Sequence, residues 1–178
     1  MAVHDIAVNN FGMKVNEQEN YMIRLSKNNV DKIELHAEQT YPEECCGMML
    51  GFSKNGTHFI EEIIKIDNSQ DENRRRRFFI TPEQYRRAEQ LAREWKMELL
   101  GFYHSHPDHP AAPSVFDTDH ALPWFTYIIV SVKQGKAAAM TTWLLNEERT
   151  RFSERIILVE PSPVSSSARQ LAHTLLEL

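Results

Sequence analysis

A chain of 178 residues, 42% of them hydrophobic, has the size of one globular domain with tails and can bury ~70% of its unfolded surface without disulfide staples. Twenty Lys and Arg against 25 Asp and Glu leave a formal charge of -5, which speaks against a general nucleic-acid binder that works by neutralising phosphates. The apolar runs at 45–52 and 127–130 fall far short of the ~20 residues that span a bilayer, and the first twenty residues hold no apolar signal core. With adjacent Cys45 and Cys46 unsuited to bridging each other, a reducing, cytoplasmic location is expected.

Residues 1–20 show no sustained period and are expected to form an arm. A short strand at 22–25 leads to Ser26, which can cap a helix to about Thr40 with Val30, Ile33 and Ala37 on one face, ended by Pro42. An apolar strand at 45–52, a turn at Lys54-Asn55-Gly56 and a strand at 58–66 form a hairpin. After a polar loop at 67–73 and the run Arg74 to Arg77, a further strand through Ile80 is expected. Thr81-Pro82-Glu83 then supplies an N-cap, an N1 proline and an acidic first turn for a helix with Tyr85, Ala88, Leu91, Ala92 and Trp95 on one stripe. A strand at 99–103 delivers His104 to a loop rich in Pro and His that runs to Pro113, where Ser114 caps a short helix toward Ala121. Strands follow at 126–132, 137–145 and 152–159, the first two joined through Gln134-Gly135. Beyond Pro161 and Pro163 a last helix places Ala168, Leu171, Ala172, Leu175 and Leu176 at helical spacing. Interleaved strands and helices indicate an α/β class with a mixed sheet.

Four of the eight histidines fall between positions 104 and 120, together with Asp108, Asp117 and Asp119. Crowding of that kind points to a metal. His104 and His106, two apart in an extended segment, face the same side and can converge on one ion. Asp117, in the first turn after the proline-rich loop, is near enough in sequence to supply a third ligand. Three protein ligands leave the fourth position open, as a catalytic zinc requires, and water bound there has its pKa lowered toward ~7. Hydrolysis is the chemistry expected of such a site.

The full string is His104-x-His106, seven residues, Ser114, two residues and Asp117, with Glu44 sixty residues upstream in Glu44-Cys45-Cys46-Gly47. It resembles the JAMM motif of the MPN-plus metalloproteases, as does the Gly-x-Tyr-His-Ser-His-Pro run at 101–107, and the resemblance extends over roughly residues 21–159. It implies an MPN domain at 21–160, related to the cytidine-deaminase-like layout, with a mixed β-sheet flanked by helices; the arm at 1–20 and the C-terminal amphipathic helix at 161–178 lie outside the resemblance. It further implies one Zn2+ per chain on His104, His106 and Asp117, Glu44 as general base and Ser114 as oxyanion donor. The implied substrate is a ubiquitin-like or sulfur-carrier protein, cut at a peptide or isopeptide bond after Gly-Gly, its tail lying along a sheet edge as an added strand. The segment from Asp117 to Tyr127 is too short for the extra zinc-bearing insertion of some polyubiquitin-cleaving relatives, so selectivity among chain linkages is not expected.

Alternatives stand beside these expectations. His104-x-His106-x-Asp108-His109 also spells a metallo-β-lactamase-like signature, but only 69 residues follow His109, with His120 and His173 the only histidines among them, and that signature gives Glu44, Ser114 and Asp117 no role. Glu43 competes with Glu44 for the base. Ser114 and Asp117 also fit a capping box. Arg74 to Arg77 fit either a solvated edge with local ion pairs or a dock for an acidic protein surface, with Arg74 and Arg76 as substrate contacts. The last helix packs on its own domain or forms a homodimer contact. A catalytically silent MPN scaffold is the alternative of a different class.

Overall fold

Seven strands and three helices make up residues 22–162, the part of the chain that this computed structural model describes. In chain order they are β1 (Met22–Ser26), α1 (Lys27–Thr40), β2 (Cys46–Lys54), β3 (Thr57–Ile66), α2 (Pro82–Glu94), β4 (Glu98–Pro107), α3 (Val115–His120), β5 (Thr126–Lys133), β6 (Lys136–Leu145) and β7 (Phe152–Glu160). The expected N-terminal arm and final helix lie outside the described residues, and with them the dimer contact. No described helix is long and apolar enough to cross a membrane.

Local chemistry accounts for most of these elements. Ser26 caps α1 by accepting from the Asn29 N–H, and Val30, Ile33 and Ala37 are buried as the spacing predicts. Thr81 and Gln84 form a reciprocal capping box at α2, with Pro82 in its first turn. Ala88 and Ala92 are buried on its stripe, while Trp95 at its end is exposed. Asn55-Gly56 and Gln134-Gly135 take positive φ at both positions, the conformation of a two-residue hairpin turn that matches strand twist.

Two expectations are corrected. The strands do not form an open sheet flanked by helices: they close into a barrel in the order β1-β3-β2-β4-β5-β6-β7, with β7 returning to pair parallel with β1. Every described strand therefore has a neighbour on both sides, and the described residues leave no whole edge strand for a substrate tail to extend. The strand expected through Ile80 is a loop, because its backbone groups bond elsewhere: Phe79 N–H donates to Asn68 Oδ1, and the Phe79 carbonyl accepts from Ser69 N–H.

The sheet curves around α1, which packs against β1, β3, β4, β5, β6 and β7. Ile33, Ala37, Met49, Tyr103, Ile128 and Val130 are buried in the core between them. A second apolar cluster, with Met48, Ala88, Phe102, Ala121 and Tyr127, lies on the opposite face of the sheet, beneath α2. Alternation along β4 decides where the chemistry goes: Tyr103 turns toward α1, whereas Phe102, His104 and His106 turn to the other face. β4 also runs further than expected, so that both histidines project from a paired strand rather than a loop.

Candidate metal centre

β4 is flanked by β2, antiparallel, and β5, parallel. Cys46 stands opposite His104, so Glu44, just before β2, comes alongside His106. Two hydrogen bonds fix that register: Ser105 N–H donates to the Cys45 carbonyl at 3.1 Å, and Cys45 N–H donates to Ser105 Oγ at 2.9 Å. The Glu44 backbone is held on both sides, its N–H donating to the Arg74 carbonyl at 2.8 Å and its carbonyl accepting from Asn68 Nδ2 at 3.0 Å.

The third element is α3. Ser114 caps it in the reciprocal pattern that Ser-x-x-Asp predicts, with Asp117 N–H donating to Ser114 Oγ and the Ser114 N–H donating to Asp117 Oδ2 at 2.7 Å. The cap turns the Asp117 carboxylate back onto β4. Its oxygens lie 3.2 Å from His104 Nε2 and 3.5 Å from His106 Nε2, and the two Nε2 atoms are 3.0 Å apart. All three residues are buried.

These atoms suit a metal. A tetrahedral zinc with ligand bonds of about 2.0–2.1 Å spaces its ligand atoms about 3.3 Å apart, close to the three separations found. His106 Nδ1 lies 2.9 Å from the Pro110 carbonyl, an acceptor that keeps its proton on Nδ1 and leaves the Nε2 lone pair free for a cation. His104 Nδ1 is buried with no hydrogen-bond partner among the described residues, and the Phe78 ring stacks on His104 at 4.6 Å. Among the described residues, His104, His106 and Asp117 are the group of His, Cys, Asp and Glu side chains found at metal-holding distance.

Electrostatics run the same way. Burial opposes charge on Asp117, but the His104 ring and hydrogen bonds from His104, His106 and Ser114 outweigh it and hold the carboxyl well below the usual carboxylate range. Burial lowers the His104 pKa against the pull of Asp117. At His106 burial is overcome by the bonds to Asp117 and Pro110 and by the charges of Asp117 and Glu44, so its pKa rises. Burial pushes the Glu44 carboxyl up to about 8, lowered somewhat by His106 and raised by Asp117. A carboxylate with a pKa near neutrality is suited to accepting and returning a proton.

Glu44, His106 and Ser114 share one cavity of about 300 Å³ with Arg75, Arg76, Pro107, His109, Pro110 and Ala112. The arginine run is divided. Arg74 pairs with Glu43 at 3.4 Å and donates to the Asn68 carbonyl, and the Arg77 guanidinium lies 4.9 Å from the Phe116 ring centre. Arg75 and Arg76 line the cavity, whereas Arg74 braces the loop. Glu43, the competitor for the base, is turned to Arg74.

Asp108 and the backbone of His109 hold the loop. Asp108 accepts from Tyr41 OH and Gln134 N–H, each at 2.9 Å, and the His109 carbonyl accepts from Ser131 Oγ at 2.6 Å. His120 stacks on Phe116 at 4.0 Å. Cys45 and Cys46 are buried free thiols whose pKa values burial pushes up, to about 12 for Cys45. Asn68, Tyr41 and Phe78 shape the site although nothing in their sequence neighbourhood marks them: a polar residue in a loop has the same local signature whether it ends up buried or not.

Residues 26–146 match the family described as prokaryotic homologs of the JAB domain. The chain is 31% identical over 110 residues to the tail tip assembly protein K of Escherichia phage N15, a match covering 60% of this chain and 40% of that protein, so the chain spans less than half of that curated relative's length. Two solution structures resemble it. A protein from Desulfitobacterium hafniense is 26% identical with a TM-score of 0.71, over 79% of this chain and 94% of that one. A protein from Salinibacter ruber is 38% identical with a TM-score of 0.62, over 81% and 94%.

Proposed function

The chain belongs to the family of prokaryotic homologs of the JAB domain, and from that premise we propose that it is a zinc-dependent hydrolase cutting a peptide or isopeptide bond after the C-terminal Gly-Gly of a ubiquitin-like or sulfur-carrier protein. The observation that supports this best is the convergence of His104, His106 and Asp117 at metal-holding distance, with His106 and the buried carboxylate of Glu44 lining one cavity. His104, His106 and Asp117 would hold the ion. Zinc bound there supplies Lewis acidity toward the scissile carbonyl and lowers the pKa of a coordinated water.

The rest of the chemistry falls to the chain. Glu44 takes a proton from the water as its oxygen bonds to the glycine carbonyl carbon, and returns it to the amine as the carbon–nitrogen bond breaks. Ser114 Oγ now donates to Asp117 Oδ2 at 2.7 Å, so it serves as an oxyanion donor by turning that proton toward the substrate. Glycines beside the scissile bond let the backbone approach between the loop at 107–113 and α3, where side chains would hold it away.

A second reading, a silent scaffold, is favoured by the similarity to a phage tail tip assembly protein. Elemental analysis and a cleavage assay on a ubiquitin-fold carrier extended past Gly-Gly separate the two. Wild type is expected to carry one zinc and to hydrolyse the extension. Asp117→Ala loses both, whereas Glu44→Gln keeps the zinc and loses roughly 10²- to 10⁴-fold in rate, since an amide accepts no proton at neutral pH. Protein that binds no zinc and leaves the extension uncut would leave the scaffold, whereas an active Glu44→Gln would take the base role from Glu44.

A further inference from the structure

Two cations line the cavity without partners of their own. Among the described residues neither the Arg75 nor the Arg76 guanidinium forms an ion pair or a side-chain hydrogen bond, whereas Arg74 pairs with Glu43 and Arg77 lies over the Phe116 ring. Arg75 feels the charge of Asp108, but the two carboxylate oxygens of Asp108 are already taken by the Tyr41 hydroxyl and the Gln134 N–H. Much of the remaining wall is apolar: Pro107, Pro110 and Ala112. A volume of about 300 Å³ sits at the lower end of small-molecule sites. It admits one or two amino-acid residues and excludes a folded domain.

An apolar pouch with an unpaired guanidinium pair on its wall selects a small ligand that ends in an anion, and the planar fork of arginine matches a carboxylate in particular. In a chain cut near its end, one such group lies close to the scissile bond: the free α-carboxylate of the departing residues. Upstream of that bond there is only carrier backbone, and a lysine side chain joined in isopeptide linkage brings no carboxylate but more polypeptide.

We propose that Arg75 and Arg76 hold the α-carboxylate of a one- or two-residue C-terminal extension, so that the site trims a carrier's carboxyl end and does not separate two folded proteins. The assignment rests on the hydrolase reading above. Water oxygen bonds to the carrier's last glycine carbonyl, the carbon–nitrogen bond breaks, one water proton passes by way of Glu44 to the released amine, and the freed residue leaves with its carboxylate on the arginines.

The test compares zinc-loaded full-length protein on a ubiquitin-fold carrier ending Gly-Gly-Phe, made as the free acid and as the C-terminal amide. Both kcat/KM and, in the Glu44→Gln background, affinity by calorimetry are measured. The acid is expected to be preferred about ten- to a hundredfold in each, as suits a charge-assisted hydrogen-bonded pair, and Arg75→Gln with Arg76→Gln should abolish the preference while zinc content stays the same. Equal handling of acid and amide by wild type, or a preference that survives in the double variant, overturns the assignment and returns these arginines to docking the carrier's body. Preferential binding of the acid with no turnover would sink the hydrolase reading and leave the carboxylate site standing.

Discussion

Asn68 shows how much a single side chain organises. It is buried, and its amide makes four bonds: Nδ2 donates to the Glu44 and Arg77 carbonyls, and Oδ1 accepts from the Gln70 and Phe79 N–H groups. One residue thus ties the base, the arginine run and the start of the α2 approach together. Asn68→Ala leaves four backbone groups to find other partners and should cost about 2–4 kcal/mol in urea unfolding. Because Glu44 loses a backbone anchor, turnover should fall while bound zinc is retained; wild-type turnover in a destabilised variant would show that Glu44 needs no such anchor. The contrast with His104 and His106 explains what is legible at this scale. Two histidines two apart on a strand share a face by geometry alone, whereas the role of Asn68 depends on the loop of residues 69–79 returning to it, which no local pattern records.

At the scale of elements, the glycines of the two motif runs have a packing cause. A Cβ on Gly47 would come within 2.2 Å of the Tyr103 ring, its cross-strand partner, and one on Gly101 would meet the Thr126 carbonyl oxygen at 2.0 Å. The second contact is with backbone and cannot be relieved by turning a side chain. Gly101 and Thr126 open the parallel pairing of β4 with β5, the ladder that carries His104 and His106. Gly101→Ala is therefore expected to push the strands apart and lower stability by more than ~3 kcal/mol, read as lost soluble yield or a lowered unfolding midpoint. An unchanged midpoint would show that the strands part there at little cost. Caps and turns such as Ser26, Thr81-Gln84 and Asn55-Gly56 are legible in the sequence because each is closed by bonds within four residues. The apolar stretch at 78–80 imitates a strand and fails to be one because Asn68 and Ser69 claim the backbone of Phe79.

Over the whole molecule, barrel closure is the feature that periodicity misses. Alternation tells which face of β1 and of β7 is buried, but not that β1 takes β3 on one side and β7 on the other, both parallel, from more than a hundred residues away in the latter case. Closure makes the barrel a rigid platform, and the site is built where β4 meets a shorter appendage: the loop at 107–113 and the six-residue α3. A zinc on His104, His106 and Asp117 would join platform to appendage, so removing it should loosen the molecule as a whole. At free zinc a thousandfold above its dissociation constant the gain is about 4 kcal/mol, on the order of 10 °C in midpoint for a chain of this size. Chelation of wild type should lower the thermal midpoint by that amount, and Glu44→Gln should behave as wild type because its zinc ligands are intact. Asp117→Ala should show no response to chelator or added zinc. The gap between loaded and chelated protein should also narrow as pH falls through the histidine range, since protons compete for the two Nε2 atoms. A wild-type midpoint indifferent to chelation would mean that the three residues hold no metal in solution, and their convergence would then be a structural hydrogen-bonded cluster.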